Sequence, residues 1–331
     1  MNTRVQVPIV PMHRSAVRGF SLVELLVALA ISMVLVAGAA YVYLSTSKTQ
    51  SALFEKAFAT ETAHYAMDVL GRDLENAGFY PSIRVSGSAA VATVTVETYV
   101  NPVKTGTIPA AYNAPVFGCK GQTYQPAATT PACGAHTGTV DADTLVLNSY
   151  SNDSYGLDAG SRADCLRKDS ANDPVNAARK NPTVALTPLS PLFVSNRYTL
   201  LPTTIQVEGQ SISTFSLACN GNGVNPASDS YYPMVGGIDQ LRFYYLVRAS
   251  DTAASKFQRA DGVTATDWPN VVSVRVCLLA RSIQAAKLQG STSYTIQDCD
   301  GVSTSFTDGV ERRIFSQVFA MKNHSQLLNL P

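Results

Sequence analysis

The sequence predicts an α+β protein: one long N-terminal helix, its first half able to span a membrane, packed on a large β-rich head. Three observations predict it. An apolar run extends from Phe20 to Leu44 with Glu24 as its sole formal charge. No proline occurs between Met12 and Tyr80, and the residues after Leu44 carry an amphipathic helical pattern. From Phe79 onward the composition shifts to Thr, Ser, Val, Tyr, Gly and Pro, in short β-type runs separated by turn-rich stretches.

The chain opens on residues 1–19, which carry Arg4, Arg14 and Arg18 and no acid. A basic start before an apolar run is the pattern of an export signal. As a helix at ~1.5 Å per residue the run reaches roughly 37 Å, enough to cross a bilayer core of about 30 Å. Ala37-Gly38-Ala39 fits the small-x-small cleavage site of an ordinary secretory signal. Glu24 argues against that reading. A carboxylate inside the run costs about 2.5–3.5 kcal/mol on insertion scales, a cost with no use in a signal peptide or a simple anchor. Glu24 therefore needs a partner.

Beyond Leu44, Leu53, Ala57, His64, Met67, Leu70, Leu74 and Ala77 recur at mostly three- and four-residue steps. Charged residues fill the positions between them. Gly38 and Gly71 weaken the helix locally, and Gly78 followed by Pro81 stops it. The reading is one helix from Phe20 to Ala77, with His64 on its inner face.

In the head, the best strand runs are 91–100, 143–150, 204–209, 212–219, 238–248, 271–280 and 312–321. Loops 101–136 and 151–182 are long and polar. No linker or internal repeat divides the region. Six cysteines, Cys119, Cys133, Cys165, Cys219, Cys277 and Cys299, all follow the apolar run, with no C-x-x-C. In an exported chain this favours disulfides over zinc or buried thiols. Of the roughly fifteen pairings possible, the one expected joins sequence neighbours: Cys119–Cys133, Cys165–Cys219 and Cys277–Cys299.

Composition and motifs exclude several classes. Charge is balanced, at 25 basic against 24 acidic residues, which gives no nucleic-acid footprint. G-x-S-x-G, Walker A and G-x-G-x-x-G are absent, so nothing points to an enzyme or a cofactor. The four histidines are scattered. "DADT" (141–144) and "DCDG" (298–301) each place two carboxylates on one side of a strand; a solvated turn is favoured there over a cation site. Trp268 is read as capping the head core.

The stretch "G-FSLVELLVALAI" resembles the class III signal of type IV pilins and type II secretion pseudopilins. In the head, "GIDQLRFYYLVRASD" (237–251), "DWPNVVSVRVCLLARS" (267–282) and "ERRIFSQVFAMKN" (311–323) resemble the later part of PilW-type minor pilins, which are akin to the J-type pseudopilins. The resemblance implies a pilin-like fold: leader 1–19, helix 20–78 and a head over 79–331. It implies cleavage by a prepilin peptidase between Gly19 and Phe20, N-methylation of Phe20, and an assembly role for Glu24. Cleavage creates an α-amine, and Glu24 of one subunit can pair with that amine on a neighbour.

The function expected on these grounds is a minor pilin that helps start assembly of a type IV pilus in a tip complex, supporting twitching motility, adhesion or DNA uptake. The alternatives are a pseudopilin of a type II secretion system and a tip adhesin. Expected partners are other minor and major pilins through the N-terminal helix, the peptidase, the inner membrane, and a surface ligand or DNA. The expected location is the inner membrane, single-pass with a periplasmic head, before assembly, and the pilus surface after it.

Overall fold

The computed structural model describes residues 21–79, 114–125, 131–136, 140, 142–150, 164–168, 193–207, 209–223, 230–248, 256–285 and 293–323. The strand expected over 91–100 lies outside them. The chain divides into two compact units, Met1–Gln50 and Ser51–Pro331.

One helix, α1 (Leu22–Asn76), runs through the boundary between the units. In the first unit it is a bare rod, apolar as far as Leu44 apart from Glu24 and Ser32, with every described residue exposed. In the second it is amphipathic. Gly78, at φ +77°, supplies the left-handed residue that ends it, and its N–H donates to Asn148 O at 2.8 Å.

The head is built on two antiparallel sheets. The first, of order β1-β4-β5-β6-β7, uses Val116–Cys119, Thr144–Tyr150, Phe193–Val207, Gln210–Gly221 and Tyr232–Gly236. The second, of order β13-β10-β8-β9, uses Val310–Ala320, Val271–Ala285, Ile238–Val247 and Phe257–Gln258. Two small antiparallel pairs complete the strands among the described residues: β2 (Thr123–Tyr124) with β3 (Cys133–Gly134), and β11 (Tyr294–Gln297) with β12 (Ser303–Phe306). Gly237 alone separates β7 in one sheet from β8 in the other. Its φ of +88° turns the chain, and a Cβ there would meet Arg281 O at 3.2 Å.

Several head elements differ from the sequence reading. The stretch 101–136, expected as loop, contains β1, β2 and β3, which are too short to show a period. Strand β5 begins at Phe193, well before the expected Thr204, and runs through Pro202, a residue that argues against a strand interior. The proline is accommodated beyond the part of β5 that β4 flanks, which ends at Tyr198. The core is continuous between α1 and both sheets. Ala59, Ala63, Ala66, Leu70 and Leu74 meet Leu145, Tyr198, Leu241, Phe243, Val274, Val276 and Leu278 in a single cluster.

Candidate functional site

The N-terminal segment is built from a few residue types. Leu, Val, Ile, Met and Ala form the helix, and Leu22, Met33, Val34, Leu35 and Val36 are each more than two-thirds exposed within it. An apolar surface this long implies a cover of lipid or other helices. The helix is long and apolar enough to cross a membrane. Glu24 sits in its first turn, and Ser21 N–H donates to Glu24 Oε2 at 3.2 Å. That contact is half of a capping box and satisfies one orphan donor of the helix start. Gly19 and Phe20 lie outside the described residues.

In the second unit the helix buries Ala52, Glu55, Ala59, Thr62, Ala63, Ala66, Met67, Leu70, Gly71 and Leu74. This corrects the expected inner face. Leu53, Ala57 and His64 are exposed, whereas Met67, Leu70, Leu74 and Ala77 are buried. The reason is steric. The small alanines let the helix lie close to the sheet, while Leu53, Phe54 and Tyr65 point outward as a second apolar stripe. Glu55, a charge on the inner face, is accommodated because its Oε2 accepts Ile283 N–H at 3.0 Å.

Strand β13 runs beside α1 and is laced to it. Lys56 faces Glu311 at 3.7 Å, Arg313 donates to Thr60 Oγ1, His64 meets Phe315 edge-on, and Lys322 pairs with Glu75 at 2.7 Å. Asp73 joins the helix to β5 by accepting from Asn196 Nδ2 at 2.6 Å and from Tyr198 OH. Burial raises the Asp73 carboxyl above its ordinary pKa, and these two hydrogen bonds oppose the shift.

The acidic motifs of the head are drawn into a network that sequence reasoning did not find. Asp143 of "DADT" is buried, accepts Gly121 N–H at 2.8 Å and Phe243 N–H at 3.1 Å, and pairs with Arg259. Burial raises its pKa, with Arg259 opposing. Asp141 lies outside the described residues. In "DCDG", Asp298 Oδ1 accepts the N–H groups of Asp300 and Val302, and Asp300 pairs with Arg242 at 2.8 Å and with Arg259. The turn is therefore held by arginines rather than merely solvated. No group of three His, Cys, Asp or Glu able to hold a metal occurs among the described residues. Trp268 is buried against Phe117 and Tyr245, within the core.

The six cysteines form three disulfides, Cys119–Cys133, Cys165–Cys219 and Cys277–Cys299. The second anchors a loop around Asp164, whose carboxylate takes the N–H groups of Leu166, Lys168 and Gly223 at 2.9 Å each. The third pins the "DCDG" turn to β10. Among the described residues, the polar contacts named above brace the fold. What the arrangement offers is an exposed helix and a braced head.

Residues 14–40 match the prokaryotic N-terminal methylation motif, and residues 195–323 match the family described as Type IV Pilus-assembly protein W. A type IV-like pilin from Thermus thermophilus is similar in structure at a TM-score of 0.30 and 10% identity, over 72% of this chain and 98% of that one. No curated protein matches. The motif and the family match, at opposite ends of one chain, support one class, that of type IV pilin-like proteins. Within that class the match over the later part of the head is to the PilW type, a family of pilus assembly.

Proposed function

We propose that this chain is a minor subunit of a type IV pilus, cut between Gly19 and Phe20, methylated on Phe20, and seated among other pilin helices through Glu24. The observation that carries the reading is one carboxylate in the first turn of α1, whose residues from Leu22 to Leu44 are otherwise uncharged and all exposed, inside a methylation motif. Cleavage before Phe20 creates an α-amine with an ordinary pKa near 8. Paired with that amine on a neighbour, Glu24 loses most of its cost in lipid, so the charge favours one register of assembly.

Before assembly the helix anchors the chain in the inner membrane with its head in the periplasm. In the fibre the head lies at or near the tip with other minor pilins and helps start growth, in support of motility, adhesion or DNA uptake. Mass spectrometry of protein from its native membrane tests the first step. The expected N-terminus is N-methylated Phe20; a start at Ala40 overturns the reading. Replacing Gly19 blocks processing. Glu24→Ala is processed normally yet enters pili poorly, and normal incorporation of that variant would refute the pairing.

A further inference from the structure

A cavity of about 780 Å³ lies in the head between β1 and the segment from Ala260 to Pro269. That volume falls in the range of about 300–1,000 Å³ usual for small-molecule sites. Among the described residues, none of α1 lines it, so it is separate from the helix surface that the assembly reading uses.

The walls are fixed before any guest arrives. On one side Phe117, Gly118 and Cys119 belong to β1, which β4 holds in register, and the Cys119–Cys133 bridge ties that strand to β3. On the other side stand two 3-10 turns, Ala260–Gly262 and Trp268–Asn270. Between them the Thr264 hydroxyl donates to Asp267 at 2.6 Å. Trp268, the sole tryptophan of the chain, is held by the rings of Phe117 and Tyr245, with centroids at 4.8 Å and 4.9 Å. Walls braced in this way lose little freedom on binding, which favours affinity.

The lining selects for chemistry as well as size. Phe117, Trp268, Val263, Pro131 and Pro269 present mostly carbon. The charges are spent on each other: Lys120 Nζ lies 2.6 Å from Asp261 Oδ2, with both side chains about half exposed. The hydrogen bond from Lys120 holds the Asp261 carboxyl below its ordinary pKa, so the carboxyl stays ionised at neutral pH. An ionic guest would either break that pair or sit uncompensated against carbon. Gln122 is the sole uncharged amide or hydroxyl side chain among the described lining residues, too few partners for a sugar. An uncharged ring meets neither obstacle.

We propose that this cavity binds an uncharged, ring-containing small molecule against Phe117 and Trp268, and that the Lys120–Asp261 pair discriminates against ions of either sign. The proposal does not rest on the assembly reading.

The test uses the full chain in phosphatidylcholine vesicles and three compounds that share a ring and differ in charge: 4-nitrobenzyl alcohol, 4-nitrobenzoate and 4-nitrobenzylammonium. A nitro-substituted ring in contact quenches tryptophan fluorescence, and Trp268 is the single reporter. The alcohol should quench saturably, at a half-saturating concentration about tenfold or more below that of either ion. Ala265→Phe, at an exposed lining position, fills the cavity and should abolish the saturable phase. Lys120→Gln leaves Asp261 without its cation. It should tighten the ammonium compound by about tenfold while the alcohol stays within about twofold. Three intact disulfides and a melt like that of wild type establish folding of each variant; should Ala265→Phe not fold, the charge preference and its change in Lys120→Gln decide. Quenching that rises linearly without saturation, equal saturation by all three compounds, a saturable phase that survives Ala265→Phe, or a charge preference unmoved by Lys120→Gln overturns the proposal.

Discussion

Substituting Gly71 by alanine sets two opposed effects against each other at the helix–head contact. In an exposed helix the change would stabilise by about 1 kcal/mol, because alanine restricts the unfolded chain and favours the helix. Here Gly71 is buried, and a Cβ would lie 2.5 Å from Phe319 Cε1 and 3.1 Å from its Cζ. Ordinary carbon contacts fall at about 3.5–4.0 Å, so the ring must retreat by roughly 1 Å. Phe319 is 8% exposed and belongs to the core, and overpacking such a site costs about 1–3 kcal/mol. The expected net effect of Gly71→Ala is a loss of about 1 kcal/mol, or about 2–4 °C in Tm for a unit of this size. Thermal unfolding of the Ser51–Pro331 fragment reads it, with Phe319→Leu and the double variant completing a cycle. Trimming the ring should restore the helical gain, so the double variant exceeds additivity by about 1 kcal/mol or more. A Gly71→Ala fragment that is more stable than wild type would refute the close approach of α1 to β13.

Further expectations concern the same unit. A fragment of residues 51–331 should fold and show a cooperative melt, whereas 79–331 should not, because Ala59, Ala63, Ala66, Leu70 and Leu74 are core residues; circular dichroism of the two distinguishes them. Breaking Cys165–Cys219, which spans 54 residues, should cost about 4 kcal/mol in the chain-entropy account, against about 3 kcal/mol for Cys119–Cys133, which spans 14. Paired Cys→Ala variants should therefore melt in that order, and the reverse order would count against it. Because burial raises the pKa of Asp73, its contribution is most favourable below the unfolded value near 3.9 and is lost as pH rises through the folded value. Wild type should thus lose stability relative to Asp73→Asn as pH rises above about 4, and a difference growing the other way in melts across pH would refute the assignment.

The limits of the sequence show at individual residues. Glu24 declared itself because a carboxylate in an apolar run is costly wherever the chain goes, and the helix from Leu22 to Asn76 because periodicity and absence of proline are local properties. Its inner face was misplaced over Leu53, Ala57 and His64, since two stripes compete in that stretch and hydrophobicity favours the bulkier. The sheet chose the alanine seam because only small side chains allow close approach.

Local composition also made the "DADT" and "DCDG" carboxylates look like surface features. The fold brings Asp143 to Arg259, 116 residues away, and ties both to Asp300. Gly237 and Gly71 belong with them: one turns the chain between sheets, the other admits a phenylalanine ring. The sequence by itself determined the helix, its apolar half and the placement of Glu24, because solvation and periodicity act over a few residues. Tertiary structure alone decided which helix face is inner, which carboxylates are buried, and that Arg275 stacks over Tyr244 and Phe257, because those depend on strand register across distant parts of the chain.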